Sequence, residues 1–331
     1  MTTRRDAILN GTSRAAELHA DLGLRDALKN GDRPVDVLSA IRKIGLVVLF
    51  QPLEGLLGAY VPTAGTAGML VTTERSLHIQ RFTAAHELGH HLLKHRAMSL
   101  DADVGFVARG EPNGHDFQEI EADAFASEFL LPAWLISAHV RRHRWGRTDL
   151  KQADVVYQLS LRLGVSYAAT CWSLASNNII KRAEAQKLAL APPKASKQRA
   201  VPDFEPKSWH SDIWLLSKYD RGVQVLGNPD DVLVLALEEH VSAGYAWDTK
   251  AVAAAGLTVE KDERQDAEDV SIGGPVTRRL VVQGAANGRL RLEEKRPWDS
   301  GPTSLSTFEI DLAMLGKEIK GLPRAARAIA A

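Results

Sequence analysis

Cysteine is almost absent from this 331-residue chain, which has Cys171 alone. An internal disulfide and a cysteine-ligated metal centre are therefore excluded, and the usage fits a reducing compartment. Net charge is absent as well, with 41 Lys and Arg against 41 Asp and Glu, so no global field draws the chain to nucleic acid or to an anionic membrane. No apolar run is long enough to span a bilayer, and the N-terminal MTTRRDAILNGTSRAAELHADLGL has charges but no apolar stretch of signal-peptide length. A cytoplasmic location is expected on these grounds. The length suggests two domains, each able to bury its own core.

Against these absences stands residues 82–93, Phe-Thr-Ala-Ala-His-Glu-Leu-Gly-His-His-Leu-Leu. It has no proline, and Ala84, Ala85, Leu88, Leu92 and Leu93 predict a half-buried helix. Within it His86, Glu87 and His90 spell H-E-x-x-H. Residues four apart share one helix face, so the two imidazoles can bind one tetrahedral zinc ion while Glu87 lies beside it. A carboxylate there can take a proton from a water that the metal has made acidic and pass it to a leaving amine, the chemistry of peptide hydrolysis. His91 and His95, each five residues past one of the pair, are read as lying well around the helix from the metal face.

Such a site needs a third protein ligand, commonly Glu, from a neighbouring helix. Asp116 opens a second helical pattern over residues 117–131, stopped at Pro132. Glu119 is the expected ligand. Asp123, one turn on, is expected to accept the second N–H of a ligating histidine and fix its tautomer. Ala122 and Ala126 let the two helices approach, and Glu121 and Glu128 are assigned to solvated surface.

Upstream, residues 13–22 and 34–45 read as short helices, and 46–51, 58–61 and 68–72 as strands of a small twisted sheet. An exposed edge of that sheet can hold substrate backbone as an added strand. Residues 101–115 read as a loop. Residues 155–174 read as two helices broken at Gly164-Val165-Ser166, a helix-turn-helix cadence. The second of them offers Tyr167, Thr170 and Ser173 but no Arg or Lys for phosphates, so direct DNA binding is not expected and the pair is assigned to the core. Residues 191–202 are a linker by composition, with solvating Lys and Arg. Strands are then predicted at 223–226, 231–237, 278–283 and 288–294, the signature of a β-sandwich.

HELGHHLLKH followed by EIEADAFASEFLLP resembles the ImmA/IrrE family of metallopeptidases, in which an HELGH helix precedes a Glu-x-x-Ala-Asn/Asp-x-Phe-Ala helix ending in Leu-Leu-x-Pro. Gln80-Arg-Phe-Thr-Ala-Ala also fits, and the likeness spans residues 35–180. The resemblance implies His86, His90 and Glu119 as zinc ligands, Glu87 as the catalytic carboxylate, and an Asp or Asn where Asp123 stands. It also implies a protein substrate, a helix-turn-helix transcriptional repressor cut in a stress or mobile-element response.

The second half is similar to the chagasin-like cysteine-peptidase inhibitors over residues 224–310, through His240-Val-Ser-Ala-Gly-Tyr-Ala-Trp247, Ile272-Gly-Gly274 with Pro275, and Arg296-Pro-Trp298. That resemblance implies an immunoglobulin-like sandwich whose loops, with Gly244, Tyr245, Gly273, Gly274, Arg296, Pro297 and Trp298, meet a protein or peptidase partner. The family's first loop reads Asn-Pro-Thr-Thr-Gly, of which only Gly244 and the following Tyr-x-Trp remain here. Trp298 is either an exposed anchor or folded onto its own sandwich.

The expected architecture is therefore α+β. A zincin-like helical metallopeptidase domain with a small twisted β-sheet occupies 1–190, a linker 191–206, and an all-β immunoglobulin-like sandwich 207–331. The expected function is zinc-dependent endopeptidase, with the sandwich as sensor, recruitment or regulatory module. The alternative is a peptidase inhibitor or protein-binding protein acting through the sandwich loops, with the metal domain as scaffold.

Overall fold

The computed structural model describes residues 3–61, 67–95, 114–265, 274–299, 301 and 303–330. Helix α1 (Arg4–Asp21) starts at a capping box, Thr3 accepting from the Asp6 amide and Asp6 from the Thr3 amide. Helices α2 (Leu24–Ala27) and α3 (Val37–Lys43) lead to a small sheet of β1 (Val47–Gln51), β2 (Gly58–Val61) and β3 (Gly68–Thr72) in the order β1-β3-β2. Strand alternation buries Val48, Phe50, Met69 and Val71 on the face toward α3 and α4 (Leu77–Leu92). Helix α5 (Gly114–Leu130) lies between α1 and α4. Missing side chains set both crossings: a Cβ on Gly11 would stand 2.2 Å from the Glu121 carbonyl oxygen, and one on Gly89 3.2 Å from the Ala122 Cα.

Helices α6 (Ala133–His143), α7 (Ala153–Leu163), α8 (Tyr167–Ser176), α9 (Arg182–Leu190) and α10 (Lys194–Ala200) complete the helical half. The α7–α8 break falls at Gly164, which has a φ of +64°. Its carbonyl accepts from Arg81 Nε at 2.9 Å, and Val35 O accepts from Arg81 Nη2 at 2.8 Å. One buried guanidinium thus ties the metal-motif helix to two neighbours. Burial lowers Arg81 to about 10, so it stays charged at neutral pH.

The all-β half contains β4 (Ile213–Ser217), β5 (Gln224–Leu226), β6 (Val232–Glu239), β7 (Ala246–Trp247), α11 (Lys250–Ala254), β8 (Thr258–Gln265), β9 (Val276–Gln283), β10 (Asn287–Lys295) and β11 (Ser306–Ala313), with α12 (Arg324–Ala330) after it. Its two four-stranded sheets run β4-β6-β9-β8 and β5-β11-β10-β7. The mixed helical and sandwich architecture is the one expected.

Residues 191–206 are not an open linker. Ala200 and Val201 pack on Ile213, Val232, Val234 and Val281, covering the outer face of one sheet. Lys197, expected to be solvated, is buried, with its Nζ donating to Ser211 O at 2.8 Å and lying 3.1 Å from Asp212 Oδ1. The Pro-Pro composition marked the break in the chain but carried no sign of these partners.

The two halves share one core, which passes from Leu159 and Leu163 to Trp214, Leu216 and Leu235. Edge strand β4 would expose unpaired backbone groups, and α7 supplies side chains in place of a further strand. Ile213 N donates to the Tyr157 hydroxyl at 2.9 Å, Gln158 Nε2 donates to Ile213 O at 2.8 Å, Leu215 N donates to Gln158 Oε1 at 2.9 Å, and Arg162 Nη2 donates to Leu215 O at 2.7 Å. Beyond β11 the chain returns to the small sheet, where Phe50 and Gly321 exchange two 2.8 Å backbone hydrogen bonds. The same return brings Glu318 to Gln80: Glu318 N donates to Gln80 Oε1 at 2.7 Å, and Gln80 Nε2 donates to Glu318 O at 3.0 Å. This clasp covers the β1 edge and leaves β2 as the other edge.

Candidate functional site

The pairing of α4 with α5 brings His86, His90 and Glu119 together, and their nearest ligand atoms all lie within 4.8 Å of one another. His86 Nε2 stands 2.9 Å from His90 Nε2 and 3.3 Å from Glu119 Oε2, and His90 Nε2 stands 3.6 Å from Glu119 Oε1. Zinc bonds to nitrogen and oxygen of about 2.0–2.1 Å in a tetrahedron imply donor separations of about 3.3 Å. All three residues are buried, and neither Glu119 oxygen has a hydrogen-bond partner among the described residues. A buried carboxylate without such partners is costly unless a cation accompanies it. The donor set therefore fits one zinc-sized ion.

Asp123 Oδ1 lies 2.9 Å from His86 Nδ1, on the far side of that ring from Glu119. An ionised carboxylate only accepts, so the Nδ1 proton stays on His86 and its Nε2 lone pair faces the cluster. Glu87 is buried next to β2, where a Cβ on Gly58 would stand 2.9 Å from Glu87 Oε1 and 2.5 Å from Thr83 Cγ2. Only glycine lets the β2 backbone come this close to that carboxylate.

Of the two neighbouring histidines, His91 lies off the cluster and His95 differs from expectation. His91 Nδ1 lies 2.9 Å from the Tyr60 hydroxyl on β2. His95 is not around the helix from the metal face, because α4 ends at Leu92 and Lys94 turns the chain with a φ of +57°. The turn folds His95 back until its Nδ1 is 2.8 Å from His90 Nδ1 and its Nε2 is 2.7 Å from Glu121 Oε2. Glu121 is accordingly part of the cluster's surroundings rather than solvated surface. The Lys94-His95 pair after two leucines was the available sign that the helix stops.

Tyr157 and His139, side chains able to donate to a developing oxyanion, are engaged elsewhere. The Tyr157 hydroxyl donates to Asp212 Oδ1 at 2.9 Å and accepts from Ile213 N. His139 is fully buried beside His143, and burial with the nearby charges of His143, Arg162 and Arg142 lowers it to about 3. The His115 side chain lies outside the described residues.

At the end of the sandwich where β6 and β10 finish, Gly244 has a φ of +80° and lies against Trp298, whose ring carbon would be 2.6 Å from an added Cβ. Trp298 nevertheless keeps 73% of its surface exposed. The Arg296 guanidinium stands 4.8 Å over the Tyr245 ring. Pro297 is in the turn between Arg296 and Trp298, Gly274 leads into β9, and Gly273 lies outside the described residues.

Residues 41–174 match the family model described as the IrrE N-terminal-like domain, Peptidase_M78, and residues 228–312 match that of the chagasin family peptidase inhibitors, I42. No curated protein matches the chain. Similar solved structures include the cysteine protease inhibitor EhICP2 from Entamoeba histolytica, 20% identical over 32% of this chain and 97% of that one, with a TM-score of 0.27. Amebosin is 15% identical over 31% of this chain and 97% of its own, with a TM-score of 0.25. A Mycobacterium tuberculosis transcriptional regulator is 13% identical over 86% of this chain and 82% of its own, with a TM-score of 0.30. At these scores none of the three bears on function. Among the described residues no helix is long and apolar enough to cross a membrane.

Proposed function

We propose that this chain, in which an IrrE-like Peptidase_M78 domain is joined to a chagasin-family inhibitor domain, is a zinc-dependent endopeptidase. The family match supports a peptidase with a metal cofactor, and the observation that carries the reading to this site is Glu119, buried between two imidazoles with no hydrogen-bond partner among the described residues. In this reading His86, His90 and Glu119 hold the ion, and Asp123 orients His86. A zinc ion there supplies Lewis acidity toward water and the scissile carbonyl. Glu87 accepts the proton of the attacking water and returns it to the leaving amine.

The β2 edge, unpaired among the described residues, takes the substrate as an added strand, so that its backbone runs past Gly58 and Glu87. The substrate class is a helix-turn-helix transcriptional repressor cut in a stress or mobile-element response. The sandwich serves as sensor, recruitment or regulatory module. The test is the zinc content of wild type beside His86→Ala, together with cleavage of purified repressors by both. One zinc per chain, lost with cleavage in the variant, is the expected result; zinc-free wild type overturns the reading.

A second reading rests on the exposure of Trp298 beside Gly244. Here the loops bearing Gly244, Tyr245, Arg296 and Trp298 bind a papain-type peptidase. Inhibition of such a peptidase by the His86→Ala protein supports this reading, and full peptidase activity at micromolar protein removes it.

A further inference from the structure

The two histidines of the metal cluster are not held in the same way. His86 rests directly on a carboxylate, Asp123. Behind His90 stands a second imidazole, and behind that a carboxylate: His90 Nδ1 to His95 Nδ1 is 2.8 Å, and His95 Nε2 to Glu121 Oε2 is 2.7 Å. The His95 side chain is 6% exposed and that of Glu121 14%. Asn10, on α1, donates from Nδ2 to Glu121 Oε1 at 3.0 Å.

The protons along this row follow from what each group can do. The Glu121 carboxylate oxygens accept from Asn10 and from His95, so His95 carries a proton on Nε2. With Nε2 donating to Glu121, Nδ1 is the ring nitrogen of His95 that accepts. His90 must donate to it from its own Nδ1, which leaves the His90 Nε2 lone pair directed at His86 and Glu119. His95 cannot itself be a ligand, because it meets His90 on the ring nitrogen opposite the cluster.

We propose that His95, fixed by Glu121 and Asn10, is a positioning residue that selects the metal-binding tautomer of His90. The inference rests on the metal-site reading given under Proposed function. Asn10 lies outside residues 41–174, so the row draws in a helix beyond the matched domain. Helix α1 crosses α5 at Gly11, immediately beside Asn10, which places that amide over Glu121.

The experiment is a competition titration of zinc against a chromophoric chelator on the full chain, repeated with cobalt(II) to record the visible spectrum. His95→Ala is expected to weaken zinc binding by about 10- to 100-fold and to alter the cobalt bands. His95→Asn, whose Oδ1 can stand where Nδ1 stood and accept from His90, is expected to recover most of the affinity. Thermal unfolding of the metal-free proteins identifies any variant that fails to fold, in which case His95→Asn against Glu121→Ala decides. Zinc affinity within twofold of wild type in His95→Ala overturns this inference alone. An Asn variant as weak as the Ala variant also overturns it. A wild type that binds no zinc overturns both this inference and the proposed function.

Discussion

Two buried polar clusters in this molecule are built on opposite principles. At the seam between α7 and β4, donors and acceptors are matched. Arg162 gives hydrogen bonds to Leu215 O, Gln158 and Asp220 Oδ1, and Asp220 also receives the Ser217 amide. At the α4–α5 cluster, acceptors converge: two Glu119 oxygens and the ring nitrogens of His86 and His90. A matched cluster is closed and holds pieces together, whereas an excess of acceptors calls for a cation. Burial alone does not distinguish the two; the balance of donors does.

That contrast can be broken most sharply at Glu87. Glu87→Gln is expected to cut peptidase turnover by about 100- to 10,000-fold while the zinc content stays that of wild type; unchanged turnover would remove Glu87 from the chemistry. At the seam the expected loss is in folding instead. Arg162→Ala takes the guanidinium from buried Asp220, leaving it only His143 and Ser217 as hydrogen-bond partners, and should cost about 3–5 kcal/mol in denaturant unfolding with no change in zinc per folded chain. A cost below about 1 kcal/mol would mean that the seam is not part of the folding unit.

The same pair predicts an acid limb. Burial raises the Asp220 carboxyl, but the Arg162 charge and the hydrogen bond and charge of His143 reverse this and hold it at about 2, below its ordinary 3.8. A carboxyl depressed in the fold stabilises above its unfolded pKa, and that contribution is lost as pH falls from about 3.8 toward about 2. Asp212, also held at about 2, adds to the same window. In urea midpoints measured at stepped pH, Asp220→Asn should be less stable at neutral pH and flatter through that window; an unaltered slope would contradict the pairing.

Smaller effects sharpen the contrast. Tyr157→Phe strands the Ile213 amide and should cost about 1–3 kcal/mol without a catalytic defect. Were that hydroxyl serving the reaction, kcat would fall by about 100- to 1,000-fold. Trp298→Ala should change stability by no more than about 0.5 kcal/mol, since the ring is largely solvated; a larger loss in thermal unfolding would show that it is a core residue.

The grouping of His86, His90 and Glu119 was legible in the sequence because its grammar is local. Four-residue spacing on α4, and a second helix with Glu119 and Asp123 one turn apart, follow from helix geometry alone. Helical spacing misplaces His95 because α4 stops at Leu92 and the left-handed Lys94 turns the chain. The seam left no such trace. Gln158 and Arg162 resemble solvated helix positions, and their partners on β4 are backbone atoms, which carry no residue signature. Strand β8, Thr-Val-Glu-Lys-Asp-Glu-Arg-Gln, was missed because an exposed edge strand need not alternate. Lys197 shows the converse, a basic residue in a linker-like stretch that is buried by partners distant in sequence.

The clasp of the last strand's return on the small sheet has a consequence in time. Gln80 and Glu318 are 238 residues apart along the chain, whereas the contacts joining α4 to α5 span a few tens of residues. Closing a long loop costs more entropy than closing a short one, and such contacts form later in folding. The His86-His90-Glu119 cluster can therefore assemble while β1 is still uncovered, and the edge of the small sheet is sealed only when the far end of the chain arrives.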